Sequence, residues 1–145
     1  MDRFMNWLYW ALLSAFFAGV TAVLAKAGVE GVDSNLATAI RTVVVLVFSW
    51  IIAFAVAKPG EMLNFSARTW WFLGFSGVAT GLSWMCYFKA MQLGDASRVA
   101  PVDKLGVIFV IILAAVFLKE KITPQHVAGG LLVTAGAIVL AWKGK

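Results

Sequence analysis

Charged residues, cysteine and histidine are all scarce in this chain. Only 13% of its 145 residues carry a charge, and it has one cysteine (Cys86) and one histidine (His126). A lone cysteine excludes a disulfide framework, and a lone histidine leaves no ligand cluster with the spacing of a metal site. The sequence also lacks a Gly-rich phosphate loop and a nucleophile elbow. These absences predict a protein without a metal, a cofactor or an enzymatic centre.

Apolar residues, by contrast, make up 62% of the chain. A soluble domain averages about 45–50% apolar and about 25% charged residues. A chain of this length cannot bury so much apolar surface in water, so its solvent must be lipid. The formal net charge is +5, but the basic residues lie singly between apolar runs. That arrangement is typical of loops anchored at anionic headgroups and does not indicate a nucleic-acid partner.

Five apolar segments can cross a bilayer core of about 30 Å, which takes about 17–25 helical residues; the fifth is short, but Thr123-Pro124 extends it toward the interface. They comprise residues 7–25, 36–57, 70–91, 99–118 and 127–142. The first is longer than the apolar core of a signal peptide and is interpreted as a span. Turn residues separate the segments at 31–35, 58–60 and 94–97, and Thr123-Pro124 caps the last one. The sequence therefore predicts an all-α integral membrane protein, a five-transmembrane-helix bundle forming one domain over residues 1–145.

The distribution of loop charge is nearly even between the two sides of the membrane. With five spans the termini face opposite sides, and the loop Lys and Arg residues then divide five against four. The side of the N-terminus has Arg3, Lys58, Arg68, Lys119 and Lys121, and the other side has Lys26, Arg98, Lys143 and Lys145. Because Lys/Arg bias normally sets orientation, this balance predicts dual topology. The alternative is one orientation that is decided by the first helix.

Four ionisable residues fall inside the predicted spans: Arg41, Lys89, Asp103 and Lys104. A charge at the centre of a span costs about 2.5–3.5 kcal/mol on insertion scales, so it usually faces water, a partner or a substrate. Helix rise places these four in one layer, about 7–10 Å below the same surface. An alternative start of the fourth helix at Pro101 would leave Asp103 in its first turn. Lys89 and Lys104 could instead extend to the headgroups.

Polar residues near Arg41 predict a cavity along the second span. Thr38, Thr42 and Ser49 lie on one stripe with Asn35, and an Arg41–Asp103 pair would neutralise both charges. Trp84 lies about ten residues before Gly94, which places its indole near mid-membrane, in the core or lining the cavity. The first span adds Ser14. The predicted substrate-binding residues are therefore Arg41, Trp84, Lys89, Asp103, Lys104, Ser14 and Thr42.

Small residues in the last span predict a helix-packing surface. Gly129 and Gly136 are seven residues apart, on one helix face, with Gly130 beside them. Helices in lipid associate through such close backbone approach. The surface could pack within the chain or against a second copy, and all three glycines are predicted dimer-interface residues.

Two stretches resemble the EamA domain of the drug/metabolite transporter superfamily. These are residues 90–101, Ala-Met-Gln-Leu-Gly-Asp-Ala-Ser-Arg-Val-Ala-Pro, and residues 117–125 with Gly129 and Gly130; residues 11–26 are similar to the first helix of those domains. Full-length relatives have ten helices in two inverted five-helix halves. The resemblance implies that this chain is half of a ten-helix inverted-repeat transporter and acts as an antiparallel homodimer in the cell inner membrane.

This chain also differs from the small multidrug resistance proteins in one feature that concerns the substrate. Gly129 and Gly136 look like the dimerising Gly-x6-Gly spacing of small multidrug resistance proteins, which rely on a first-helix carboxylate for cation export. Residues 7–25 have no acidic residue, and Asp103 is the carboxylate placed to substitute. The leading hypothesis is a secondary transporter of a small polar or amphipathic metabolite. Alternatives are a lipid-linked carrier flippase subunit, a small multidrug or cation exporter, and an accessory subunit.

Overall fold

A computed structural model describes residues 2–57 and 59–142, with side chains from Trp7 onward, and all regular secondary structure in these residues is helical. In chain order the helices are α1 (Asp2–Val29), α2 (Ser34–Val56), a 3₁₀ helix (Pro59–Asn64), α3 (Ala67–Leu93), α4 (Ala96–Asp103), α5 (Gly106–Phe117) and α6 (Pro124–Ala141). The charge count rests partly on Lys58, Lys143, Lys145 and the side chain of Arg3, which lie outside the described residues.

The turn and capping residues recognised in the sequence bound the helices. Gly31 adopts φ +74°, a left-handed conformation that favours glycine, and turns the chain after α1. Asp33 then caps α2, because its Oδ1 accepts hydrogen bonds from the backbone N–H groups of Asn35 (2.9 Å) and Leu36 (3.1 Å). Thr123 caps α6 in a reciprocal capping box with His126, and Pro124 is the first helical residue. The predicted cap at Thr123-Pro124 is confirmed.

Four helical segments in the described part of the chain are long and apolar enough to cross a membrane. They are Trp7–Val29, Ser34–Val56, Ala96–Phe117 and Pro124–Ala141. Helix α3 has 27 residues, which is ample length, but its Trp, Ser and Gly residues make it less apolar than these four. The protein is therefore an all-helical, multi-pass membrane protein, and the count of five spans stays a prediction.

The fourth predicted span is interrupted, which the sequence analysis did not anticipate. Helix α4 ends at Asp103, and α5 begins at Gly106. Across the junction the bonds have i→i+3 spacing, with Lys104 N–H donating to Pro101 C=O (3.1 Å) and Val107 N–H to Lys104 C=O (3.1 Å). Helix α4 begins at Ala96, so the alternative start at Pro101 is wrong. Asp103 and Lys104 lie within the 22-residue candidate span Ala96–Phe117.

The chain divides into two compact units, residues 28–92 and residues 1–27 with 93–145. In the first, the buried side chains cluster near the α1–α2 turn and the end of α3: Val29, Ser34, Thr38, Phe88 and Met91. In the second, Ala22, Ala25, Gly130 and Ala137 are buried, and α4 and α5 both pack on α6. Most other apolar side chains are exposed, as expected where lipid or another helix surrounds them.

Long side chains hold the connections within each unit. In residues 28–92, Gln92 Nε2 donates to the Val32 carbonyl (2.8 Å), and Lys89 Nζ donates to Gln92 Oε1 (3.1 Å). In the other unit, Lys26 Nζ donates to the Gly94 carbonyl (3.0 Å), just after α3 ends. These bonds satisfy loop carbonyls that would be costly to leave unpaired near a membrane. They also give a structural reason for Gln92 in the stretch 90–101, because its side chain makes two of the three bonds.

Candidate substrate-binding cleft

A cleft of about 580 Å³ lies between α2 and α3, within the unit of residues 28–92; we call it the α2–α3 cleft. Its lining is mainly apolar, with four hydroxyl side chains and no ionisable side chain. The lining residues are Thr42, Val45, Leu46, Ser49, Trp50 and Ala53 from α2, and Leu73, Ser76, Gly77, Thr80, Gly81 and Trp84 from α3. An apolar cavity with a few placed polar groups is the usual form of a small-molecule site.

Helical periodicity and two glycines create the cleft. On each helix the lining residues recur at intervals of three or four, so they share one face. Gly77 and Gly81 contribute no side chain, and a Cβ added at either would meet nothing within 4 Å. The missing side chains therefore leave space between the helices. The sequence analysis predicted a cavity along α2, and Thr42 and Ser49 of its predicted polar stripe line this cleft.

Two threonine hydroxyls in the cleft already donate their proton to the backbone. Thr42 Oγ1 donates to the Thr38 carbonyl (2.8 Å), and Thr80 Oγ1 donates to the Ser76 carbonyl (2.9 Å). A hydroxyl has one proton and two acceptor lone pairs. Thr42 and Thr80 thus offer acceptor positions to a ligand, in a lining without a carboxylate.

The guanidinium of Arg41 stacks on two aromatic rings, at the end of the cleft where Thr42 and Trp84 lie. Its guanidinium carbon lies 4.2 Å from the centroid of the Trp84 ring and 5.4 Å from that of Phe88. Cation–π contacts of this kind are worth about 0.5–2 kcal/mol, the larger values applying where water is excluded. The stack fixes the plane of the guanidinium next to two residues that line the cleft. Arg41, Thr42 and Trp84, predicted as substrate-binding residues, are thereby brought together.

The other predicted substrate-binding residues have different surroundings. Lys89 bonds Gln92, one turn nearer the end of α3, which favours the interpretation that it extends toward the headgroups. Asp103 and Lys104 lie in the other unit at the α4–α5 junction, where their side chains form an exposed ion pair of 3.2 Å. Ser14 is exposed on α1, also in that unit. Their role in binding stays a prediction, as does the Arg41–Asp103 pair.

The three glycines of α6 differ in their surroundings. Gly130 is buried, and a Cβ there would lie 3.0 Å from Ile108 Cδ1 and 3.7 Å from Ile111 Cδ1 of α5. Gly129 and Gly136 are exposed, and an added Cβ would meet nothing within 4 Å. Gly130 therefore packs inside its unit, as one of the two sequence interpretations allowed, whereas Gly129 and Gly136 present open surface. Their place in a dimer interface stays a prediction.

Sequence reasoning missed the hydroxyls that α3 contributes. Ser76 and Thr80 are four residues apart and line the cleft beside Gly77 and Gly81. The signal was present, because a polar pair at helical spacing amid glycines is typical of a cavity-lining helix face.

Comparison with known proteins agrees with a multi-pass helical membrane protein containing a ligand-sized cleft. Residues 5–142 match the EamA-like transporter family. A Sinorhizobium protein named "Uncharacterized transporter in cobO 3'region" is 50% identical over 139 residues, 94% of this chain and 96% of that protein. A Methanothermobacter thermautotrophicus protein named "Uncharacterized transporter" is 26% identical over 138 residues, 92% of this chain and 38% of that protein.

The chain therefore belongs to the EamA-like transporter family, as its motifs at residues 90–101 and 117–125 indicated. No solved structure matches it. The family consists of transporters, so a membrane setting and a small-molecule substrate follow from membership. The match covers 96% of the Sinorhizobium protein but 38% of the Methanothermobacter protein.

Proposed function

We propose that this protein is a secondary transporter of a small amphipathic metabolite, acting in the inner membrane as an antiparallel homodimer by alternating access. The observation that carries this proposal is the α2–α3 cleft, with its apolar lining, four hydroxyls and the stacked Arg41 at one end. Its volume of about 580 Å³ suits a small molecule. Inverted repeats around a central site are a general design for such transport.

Two observations support assembly from two copies. One relative matches this chain over 96% of its own length. In the other, the 138 aligned residues are 38% of the protein, which leaves room for a second segment of the same length. A second copy of this chain can supply what the longer relative holds in one polypeptide. Gly129 and Gly136, with open surface around both, are the proposed contact on α6.

The lining of the cleft argues against cation export. A carboxylate would neutralise a bound cation in a low-dielectric site, and the cleft has none among its twelve lining residues. A lipid-linked carrier is the second candidate, because the mainly apolar lining could also accept an acyl or polyprenyl chain. If the protein is such a carrier, a fluorescent phospholipid or polyprenyl phosphate should move between the leaflets of vesicles that contain it.

Flux in proteoliposomes tests the transport proposal. Purified protein is reconstituted, vesicles are loaded with a mixture of unlabelled cell metabolites, and release is followed by mass spectrometry against protein-free vesicles. We expect selective release of a few amphipathic compounds in vesicles that retain a trapped inert sugar. Equal release from protein-free vesicles, or movement of lipids alone, would contradict the proposal.

Dual insertion has its own test. A reporter fused after the C-terminus, active either in the cytoplasm or in the periplasm, is expected to show activity on both sides, because the loop charges divide five against four. Adding two lysines to the loop of residues 94–97 should shift the reporter strongly to one side. A reporter that stays on one side in the unmodified protein would contradict dual topology.

A further inference from the structure

We propose that the substrate is an amphipathic organic anion whose negatively charged head binds Arg41 and whose apolar body lies along the α2–α3 cleft. This deepens the proposed transport function by naming its substrate class. The inference rests on the position of the Arg41 guanidinium. It stacks on Trp84 without an ion-pair partner, at one end of the mainly apolar cleft between α2 and α3.

The guanidinium of Arg41 is half-buried and has no anionic partner among the described residues of its unit. Within the described residues of its own unit, no carboxylate forms an ion pair with it, and no hydrogen bond from its N–H groups is present. Arg41 is the eighth residue of α2, which places it about 10 Å from the start of the helix by helical rise. Stacking satisfies the face of the guanidinium but leaves its five N–H donors at the edge. Those donors are arranged as a fork that matches a carboxylate or a phosphate.

The rest of the cleft complements an apolar body. Starting from Thr42 and Trp84, the cleft continues along α2 to Ala53 and along α3 to Leu73. Its twelve lining residues include no charged side chain, so a ligand with charge at both ends could pair one charge with Arg41 and would leave the other unpaired. Trp84 both stacks with Arg41 and lines the cleft. It would therefore contact the part of the ligand next to the anionic head.

Binding to the purified full-length protein in detergent tests this inference without requiring transport. The probes are 3-phenylpropionate, its neutral isostere 3-phenylpropanamide, the cation 3-phenylpropylammonium, and phenyl phosphate, each titrated by calorimetry. We expect one or both anions to bind about tenfold or more tightly than the amide, the range that a charge-assisted hydrogen bond provides. The stronger of the two anions identifies carboxylate or phosphate as the natural head group.

A matched pair of arginine variants locates the site. Arg41→Gln should weaken binding of the preferred anion about tenfold or more while leaving amide binding unchanged. Arg68→Gln is the control, because Arg68 also stacks on an aromatic ring, Phe72 at 5.6 Å, but Phe72 does not line the cleft, whereas Trp84 does. It should bind like the unmodified protein. Arg41→Lys retains the charge without the planar fork and should give an intermediate affinity.

Three results would overturn the inference. They are equal binding of anion and amide by the unmodified protein, preferred binding of the ammonium probe, and an equal loss in the Arg41 and Arg68 variants. The probe series needs no mutation, so it decides the question even if Arg41→Gln does not fold. Failure of flux in vesicles with intact anion binding would contradict the transport proposal alone.

Discussion

Filling the α2–α3 cleft with a phenyl ring at position 77 is expected to reduce substrate flux by about tenfold or more without loss of fold. Gly77 lines the cleft, and a Cβ there meets nothing within 4 Å, so the new side chain begins in open space and its ring is expected to occupy the cleft. Phenylalanine is also a better helix former than glycine. The ring takes space that the substrate would occupy, and each ~1.4 kcal/mol lost in substrate binding is a factor of ten.

The matched control for Gly77→Phe is Gly74→Phe, one turn earlier on the same helix. Gly74 is equally free of neighbours within 4 Å but does not line the cleft. Both variants should have the thermal stability of the unmodified protein in detergent, and only Gly77→Phe should lose flux in proteoliposomes. Normal flux through Gly77→Phe would show that substrate does not pass through this cleft.

Leucine at position 130 should destabilise the protein, whereas leucine at position 136 should leave the chain folded and separate the proposed dimer. At Gly130 even a Cβ would lie 3.0 Å from Ile108 Cδ1, so a leucine overpacks the α5–α6 contact, at a cost of about 1–3 kcal/mol. Gly136 has no neighbour within 4 Å inside the chain, and its leucine would protrude into the proposed contact with a second copy.

Thermal unfolding and light scattering in detergent separate these two effects. Gly130→Leu is expected to lower the unfolding temperature. Gly136→Leu is expected to keep that temperature while the mass falls from dimer to monomer. Gly130→Ala provides a graded control, because the atom that must move is the flexible end of an isoleucine, and its effect should be small. A dimer that persists in Gly136→Leu would contradict the proposed contact on α6.

The parts of the site that could be predicted are those with a strong individual signal. An arginine within an apolar span has few structural explanations, so Arg41 was identified from one residue. Trp84 followed from its depth, and Thr42 from its spacing with Thr38 on one face of α2. The cap at Thr123 followed from Pro124 and the turn before it, because capping is decided by local hydrogen bonds.

The missed features depend on which neighbour a helix face meets. Adjacent glycines at 129 and 130 differ by about 100° around the helix, and only the fold shows that Gly130 faces α5. The Arg41–Phe88 contact likewise required the pairing of α2 with α3. The break after Asp103 was overlooked because the apolar run resumes at once, although Pro101 and Gly106 bracket it.

The junction at Lys104 and Leu105 makes the segment from Ala96 to Phe117 two short rods joined by a tighter turn. Bonds with i→i+3 spacing have poorer geometry than α-helical ones, and such turns within a helix often mark a hinge. The two rods can therefore change their angle by rearranging a few weak bonds while each stays intact. The proposed opening to one side of the membrane and then to the other would have in this turn a joint at which bending costs little.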